Sequence, residues 1–255
     1  MTEMSPGAFY ADERLVSGST LTEVDVPRFA TYYEKRLGKP FSENGLPLGR
    51  VLSDMRLSDG ERLTLTGSLL FTKDQERRLS ALMVKATVYS GTQMAEADCL
   101  DAQDIVGRLS EVFEQTVCFL TENTQYRKER SFADSRDIAK GVWAELIVNA
   151  LLHRDYDKAA PIRVLVFADR VEIASPGCLP HQLSVEHIRL GAAFRRNQTL
   201  TSHAAWMLPY RGLGNGVLSV LKLCPDTIFI NNKESDEFRV IVKRKSLKVF
   251  KGIGR

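Results

Sequence analysis

Apolar residues recur at helical spacing in some stretches of the chain and at alternate positions in others, and this pattern orders the elements. Val26, Phe29, Ala30, Tyr33 and Leu37 form one stripe of a first helix, which Asp25 caps, Pro27 opens and Gly38 and Pro40 end. A second short helix is predicted within 46–57, followed by the turn Ser58-Asp59-Gly60. Residues 63–71 read as a strand or strand pair, and 82–89 as a clearer strand rich in β-formers. Ile105, Leu109, Val112, Phe113, Val117 and Leu120 then fall at helical spacing, and 123–132 is charged, aperiodic loop. In the next helix the stripe is Val142, Trp143, Leu146, Ile147, Ala150 and Leu151, with Asp134 or Ser135 as its cap. Strands follow at 162–167 and 171–174, joined by Asp169-Arg170, whose chemistry is that of a turn with an ion pair. A loop with short helices covers 179–211. A helix opened by glycines at 212–216 ends near Cys224-Pro225, and a hairpin pairs 227–230 with 238–242. This order predicts an α+β sandwich, with helices on one face of a mixed, mostly antiparallel sheet, preceded by a small helical or winged-helix-like unit.

Composition changes this picture little. A chain of 255 residues that is 44% hydrophobic can bury a sizeable core. The units expected are 1–62, helical and linking; 63–245, carrying the sheet; and 246–255, a basic tail. A net charge of +3 is too small to argue for nucleic acid. Lys243, Arg244, Lys245, Lys248, Lys251 and Arg255 do concentrate at the end, where they suit either phosphate contact or a solvated terminus. The four cysteines form no C-x-x-C pair, and Cys118 falls in an apolar helical pattern that reads as core. No leader pattern and no membrane-length apolar run is present, so a cytoplasmic location is expected.

Three constellations carry candidate chemistry. Glu145 and Asn149 lie four residues apart on one helix, about 6 Å from each other, and His153 continues the line. A carboxylate there can polarise a water, and an amide oxygen beside it can ligate Mg²⁺. Gly212, Gly214 and Gly216 at a helix start allow backbone N–H groups to approach an anion closely. Ser175-Pro176-Gly177 ends a strand, where the glycine admits a planar ligand. Each also has a plain structural reading: solvated polar groups, a tight loop, an ordinary turn. His153 and Tyr156 read first as structural groups at a helix end, Arg154 and Asp155 equally as structural or ligand-contacting. Trp143 and Trp206 read as core or lid packing.

Together and in this order, the three resemble the nucleotide site of the GHKL (Bergerat) ATPases. Glu145 and Asn149 look like the N-box, Ser175-Pro176-Gly177 stands in place of the first glycine box, and Gly212, Gly214 and Gly216 match the second. Residues 179–211 would then be the ATP lid. The string Asn149-Ala150-Leu151-Leu152-His153-Arg154-Asp155-Tyr156, followed by Asp169-Arg170-Val171-Glu172-Ile173 and Pro176-Gly177, is similar to the C-terminal domain of RecG-like transcriptional regulators. Arg196-Asn197 and residues 63–71 share that likeness, which spans most of 8–245.

The resemblance implies a Bergerat fold that binds ATP and Mg²⁺, with Glu145 as the general base, Asn149 on the metal, and Arg154, Ser175, Gly177 and the three glycines around the nucleotide. It further implies a homo-oligomer, no membrane, and DNA reached through a partner domain or the basic tail. That family joins this region to a Schlafen AlbA-type domain thought to bind DNA, which would lie ahead of this chain. Two departures stand out: Ser175 where the family carries Asp or Asn, and Leu179 where the first box has its second glycine. A serine hydroxyl reaches less far toward a base. No G-x-x-x-x-G-K-[ST] loop occurs, so a helicase motor is not expected. The alternatives are a degenerate, non-catalytic module for dimerisation or protein contacts, and a DNA binder using the tail with Arg195 and Arg196.

Overall fold

The computed structural model describes residues 10–73, 82–124, 133–180, 182–192, 194–210 and 215–244, with 133–139 as backbone alone. Helix α1 (Val26–Leu37) has the expected punctuation. The Asp25 carboxylate accepts the Arg28 N–H at 3.3 Å, and Gly38 closes the helix at φ 71°. Its buried face is Phe29 and Tyr32, while Val26 and Leu37 are exposed, so the stripe is rotated from the one expected. The cause is a ring cluster: Phe29 meets Phe41 and Phe71 edge-on at 5.4 and 5.2 Å, and Tyr32 lies 5.1 Å from Phe71.

Helix α2 (Leu48–Asp54) follows, then α3 (Leu65–Phe71), where a strand was expected. Thr64 caps α3 by accepting the Gly67 N–H at 3.1 Å, and all seven residues of the helix are buried. A helix buried all round shows no periodicity that separates it from a buried strand. Gly67 is obligatory: a Cβ there would lie 2.1 Å from the Leu57 carbonyl oxygen.

Six strands form one sheet among the described residues: β1 (Val84–Tyr89), β2 (Cys99–Ile105), β3 (Ile162–Val166), β4 (Arg170–Pro176), β5 (Ile228–Asn232) and β6 (Glu237–Lys243). The order is β2-β1-β3-β4-β6-β5; β1 and β3 run parallel and every other pair antiparallel. Strand β2 was not anticipated. It is an edge strand, exposed at most positions, and Ile105 closes it instead of opening the next helix. Helix α4 (Leu109–Thr124) starts four residues later, and α5 (Ala133–His153) starts just ahead of the expected caps Asp134 and Ser135. Three short helices complete the fold: α6 (Val185–Arg189), α7 (Gln198–Ala204) and α8 (Asn215–Leu223).

Alternate strand positions build the core. Val84, Ala86, Val88, Ile162, Val164, Val166, Val171, Ile173, Val240 and Val242 are buried in one cluster with Leu120, Trp143, Ile147 and Leu151 of α4 and α5. Trp143 packs as expected and donates its indole N–H to Thr124 Oγ1 at 3.2 Å. Cys118 does not: it is exposed on α4, with its thiol directed to Glu122. On the opposite face of the sheet, Glu172 is buried between Arg170 (2.6 Å) and Arg239 (3.3 Å). Arg170 also pairs with Asp169 as the turn chemistry predicted, and lies 4.1 Å over the Phe167 ring. The result is an α+β sandwich with helical elements ahead of its sheet.

The N-terminal elements are tied to the sandwich by buried polar contacts. Asp12 accepts the Leu200 N–H at 2.7 Å in the first turn of α7. His203 of α7 meets the Tyr32 hydroxyl at 2.5 Å and Arg36 at 2.6 Å through Nδ1, and the Met55 carbonyl at 3.0 Å through Nε2. Burial, and then Arg36, lower the His203 pKa to about 4.

Candidate functional site

Helix α5 presents Glu145, Asn149 and His153 to one cleft of about 410 Å³, bounded by the end of β4, the β5–β6 hairpin, α8 and the segment 177–196. A volume of this order suits a small organic ligand. Its walls are largely apolar and include Leu146, Ile173, Val217 and the stacked pair Phe229 and Phe238.

At one end, the Asn149 Nδ2 donates to the Glu145 backbone carbonyl and to Glu145 Oε1, both at 2.7 Å. The amide therefore has its donors turned to Glu145 and its oxygen left for the cleft. Gly216, in the first turn of α8, sits directly against this carboxylate; a Cβ there would lie 1.6 Å from Glu145 Oε1. Glu145, Asn149 and Gly216, separated by up to 71 positions in the chain, thus meet at a point. A carboxylate beside a helix start is electrostatically favoured, and the same backbone could face an anionic ligand. Gly212 and Gly214 lie outside the described residues.

At the other end are Ser175, Gly177, His153, Arg196 and Tyr210. The Ser175 hydroxyl donates to the Ala150 carbonyl at 3.3 Å, so its proton serves the packing of α5 on β4. Gly177 has φ 94°, and the room beside it is taken by protein: a Cβ would lie 2.2 Å from Arg196 Nη1 and 2.5 Å from Asp155 Cβ. The glycine that the sequence offered to a planar ligand is spent on a guanidinium. Arg196 donates through Nη2 to the Cys178 carbonyl, and Asp155 stands 3.8 Å from its Nη1. Burial, and then Arg196 and Arg195, lower the His153 pKa to about 4, so its imidazole is neutral near pH 7.

Arg154 does not line this cleft. It is 1% exposed and donates to the carbonyls of Leu82 (3.3 Å), Lys158 (3.0 Å) and Ala160 (2.6 Å), closing the chain beyond α5. Tyr156 is structural as expected, donating to the Leu151 carbonyl at 2.9 Å. Arg195 is exposed and hydrogen-bonds Tyr210, while Arg196 is half-buried and lines the cleft. Of the basic end, Arg244 donates to the Phe167 carbonyl at 2.9 Å, while Lys245, Lys248, Lys251 and Arg255 lie outside the described residues. Trp206, expected in core or lid packing, is exposed. No cluster of three or more His, Cys, Asp or Glu suited to a metal, and no helix long and apolar enough to cross a membrane, occurs among the described residues.

Comparison with known proteins bears on both fold and site. No curated protein matches the chain. A crystal structure of the DIP2311 protein from Corynebacterium diphtheriae is similar, with a TM-score of 0.64 at 16% identity over 92% of this chain. The chain spans 40% of that protein's chain, so the likeness is one of fold. Residues 159–249 match the family described as "Putative ATP-dependent DNA helicase recG C-terminal". From just ahead of β3 to beyond β6, residues 159–249 are thus similar to a RecG-like C-terminal region of the HATPase type.

Proposed function

We propose that this cleft binds a nucleoside triphosphate, with ATP as the nucleotide the family description names, and that the protein is the nucleotide-binding regulatory part of a RecG-like transcriptional regulator. The observation that carries the reading is the meeting of Glu145, Asn149 and Gly216 at one end of an apolar cleft. Phosphates lie at that end, against the first turn of α8. Asn149 Oδ1 is the oxygen left to hold Mg²⁺, which would neutralise phosphate charge there. Glu145 takes the proton of a water attacking the γ-phosphorus, and the bond to the bridging oxygen breaks with its electron pair leaving on the diphosphate. Turnover by this route is slow, because the carboxylate is already engaged by Asn149 and packed on Gly216.

The same packing favours a second reading, in which the fold is kept as an interaction module without turnover. In either case residues 63–245 form the nucleotide-type unit and 1–62 a helical unit ahead of it. DNA is reached through a partner domain or the basic tail, the protein self-associates, and it works in the cytoplasm.

Titration with MgATP while following thermal unfolding tests the reading. Ligand at 100 times its dissociation constant adds about 2.7 kcal/mol of stability. Absence of any shift with any nucleotide rejects nucleotide binding and favours the interaction module. Glu145→Ala is expected to abolish phosphate release and keep most of the affinity; full phosphate release in that variant removes Glu145 as the base.

A further inference from the structure

Strand β2 pairs with β1 alone, so the backbone on its other side is an open edge of the sheet. Cys99, Leu100, Ala102, Gln103 and Asp104 of this strand are exposed, Leu100 at 69%. Its charges are all acidic: Asp101 and Asp104 on the strand, with Asp98 just ahead of it. Their partners lie at the surface, the Ser90 hydroxyl on Asp98, the Gln103 amide on Asp101 and Lys85 beside Asp104. Pairing two such edges would set carboxylates against carboxylates, so a strand that adds here must be basic.

The sequence holds such a segment directly after Arg244. In residues 245–251, Lys245, Lys248 and Lys251 recur at every third position, as Asp98, Asp101 and Asp104 do. Set antiparallel with Lys245 opposite Asp104, the two stretches match in kind at every position. Lys248 meets Asp101 and Lys251 meets Asp98. Leu247 meets Ala102, Val249 meets Leu100 and Phe250 meets Cys99, while polar Ser246 meets Gln103. Directly opposed residues share one face of a sheet, so each pair would be in contact. The same chain cannot make this pairing. Arg244 is fixed at the 167–169 turn, where its N–H donates to the Asp169 carbonyl at 2.8 Å. From β6 to β2 there are four strand spacings, about 19 Å, whereas one residue covers about 3.5 Å. Lys245 therefore meets Asp104 in another copy.

We propose that residues 245–251 of one copy add to the open edge of β2 in a second copy as an antiparallel strand that extends its sheet. This names the contact behind the self-association proposed above, and rests on that part of the reading alone. Main-chain hydrogen bonds hold the added strand, and the lysine–aspartate pairs and apolar pairs set its register.

Sedimentation of the full chain over a concentration series is the test. The wild type is expected to associate. Asp101→Lys and Lys248→Asp are each expected to weaken association about fivefold or more, since each sets like charges face to face. Combining them restores it, because the pair re-forms with its signs exchanged. Unfolding curves matching the wild type confirm that the variants are folded. A chain shortened to end at Arg244 is expected to be monomeric. Association that persists in the shortened chain overturns the proposal and leaves self-association standing. A double variant no better than the single ones also overturns it. A monomeric wild type overturns both, and MgATP titration reads nucleotide binding separately.

Discussion

His203 makes the fold acid-sensitive in a way that can be worked from its surroundings. Its Nδ1 faces two donors, the Tyr32 hydroxyl and the Arg36 guanidinium, so it must accept, and Nε2 then donates to the Met55 carbonyl. Protonation would place a second N–H against Arg36 inside a buried contact between α1 and α7. The folded pKa of about 4 lies below the ordinary histidine value of 6.5, so between these values the unfolded chain binds more protons. Stability is fully present above about pH 6.5 and falls as pH drops through the window toward 4. At about pH 5 the loss from this group is about 2 kcal/mol. His153, shifted in the same direction to about 4, adds a similar loss. Urea unfolding at half-unit steps from pH 8 to 5 measures the sum, about 4 kcal/mol. His203→Gln should remove about half of that pH dependence, because glutamine does not titrate. A wild-type stability that stays level between pH 7 and 5 would refute the reasoning.

Three glycines give contrasting expectations. Gly67→Ala drives a Cβ to 2.1 Å from a backbone carbonyl that cannot yield, so thermal unfolding should show a loss of about 2–3 kcal/mol. Gly141→Ala meets nothing within 4 Å on α5 and should gain about 1 kcal/mol; a loss there would contradict its open surroundings. Gly216→Ala meets only the flexible end of Glu145, so stability should change by no more than about 1 kcal/mol, while phosphate release drops to the level of Glu145→Ala. Undiminished phosphate release in that variant would show that Gly216 does not hold the carboxylate.

The parts of the fold that were legible in the sequence are those with a clean period and clear punctuation. Helix α1 announced itself by Asp25, Pro27 and Gly38, and the β5–β6 hairpin by alternation about a polar turn. Strands β3 and β4 were equally plain, because only one face of β3 is buried and Asp169-Arg170 marks the turn. Helix α3 was misread because burial on every side erases amphipathicity, and β2 was missed because an exposed edge strand of Asp101, Gln103 and Asp104 carries no apolar alternation. Within the site, Glu145, Asn149, Ser175 and Gly216 were legible from helical spacing and glycine placement. The link from His153 to Tyr210 and Arg196 was not, since it joins residues more than 40 positions apart through side-chain directions that no local pattern encodes. Arg154 was misjudged for a related reason: the same guanidinium serves a ligand or three carbonyls equally well, and only the path of the chain decides.

The parallel pairing of β1 with β3 sets a limit on how this protein can be dissected. Val84, Ala86 and Val88 of β1 zip against Ile162, Val164 and Val166, with both long helices threaded between the two strands. A fragment cut at residue 159, where the family match begins, would leave behind the helix that bears Glu145 and Asn149. It would also turn the apolar β3 into a bare margin, open to strand exchange between copies. Such a fragment should precipitate before it binds anything, and coexpression with residues 1–158 is the rational way to rescue it.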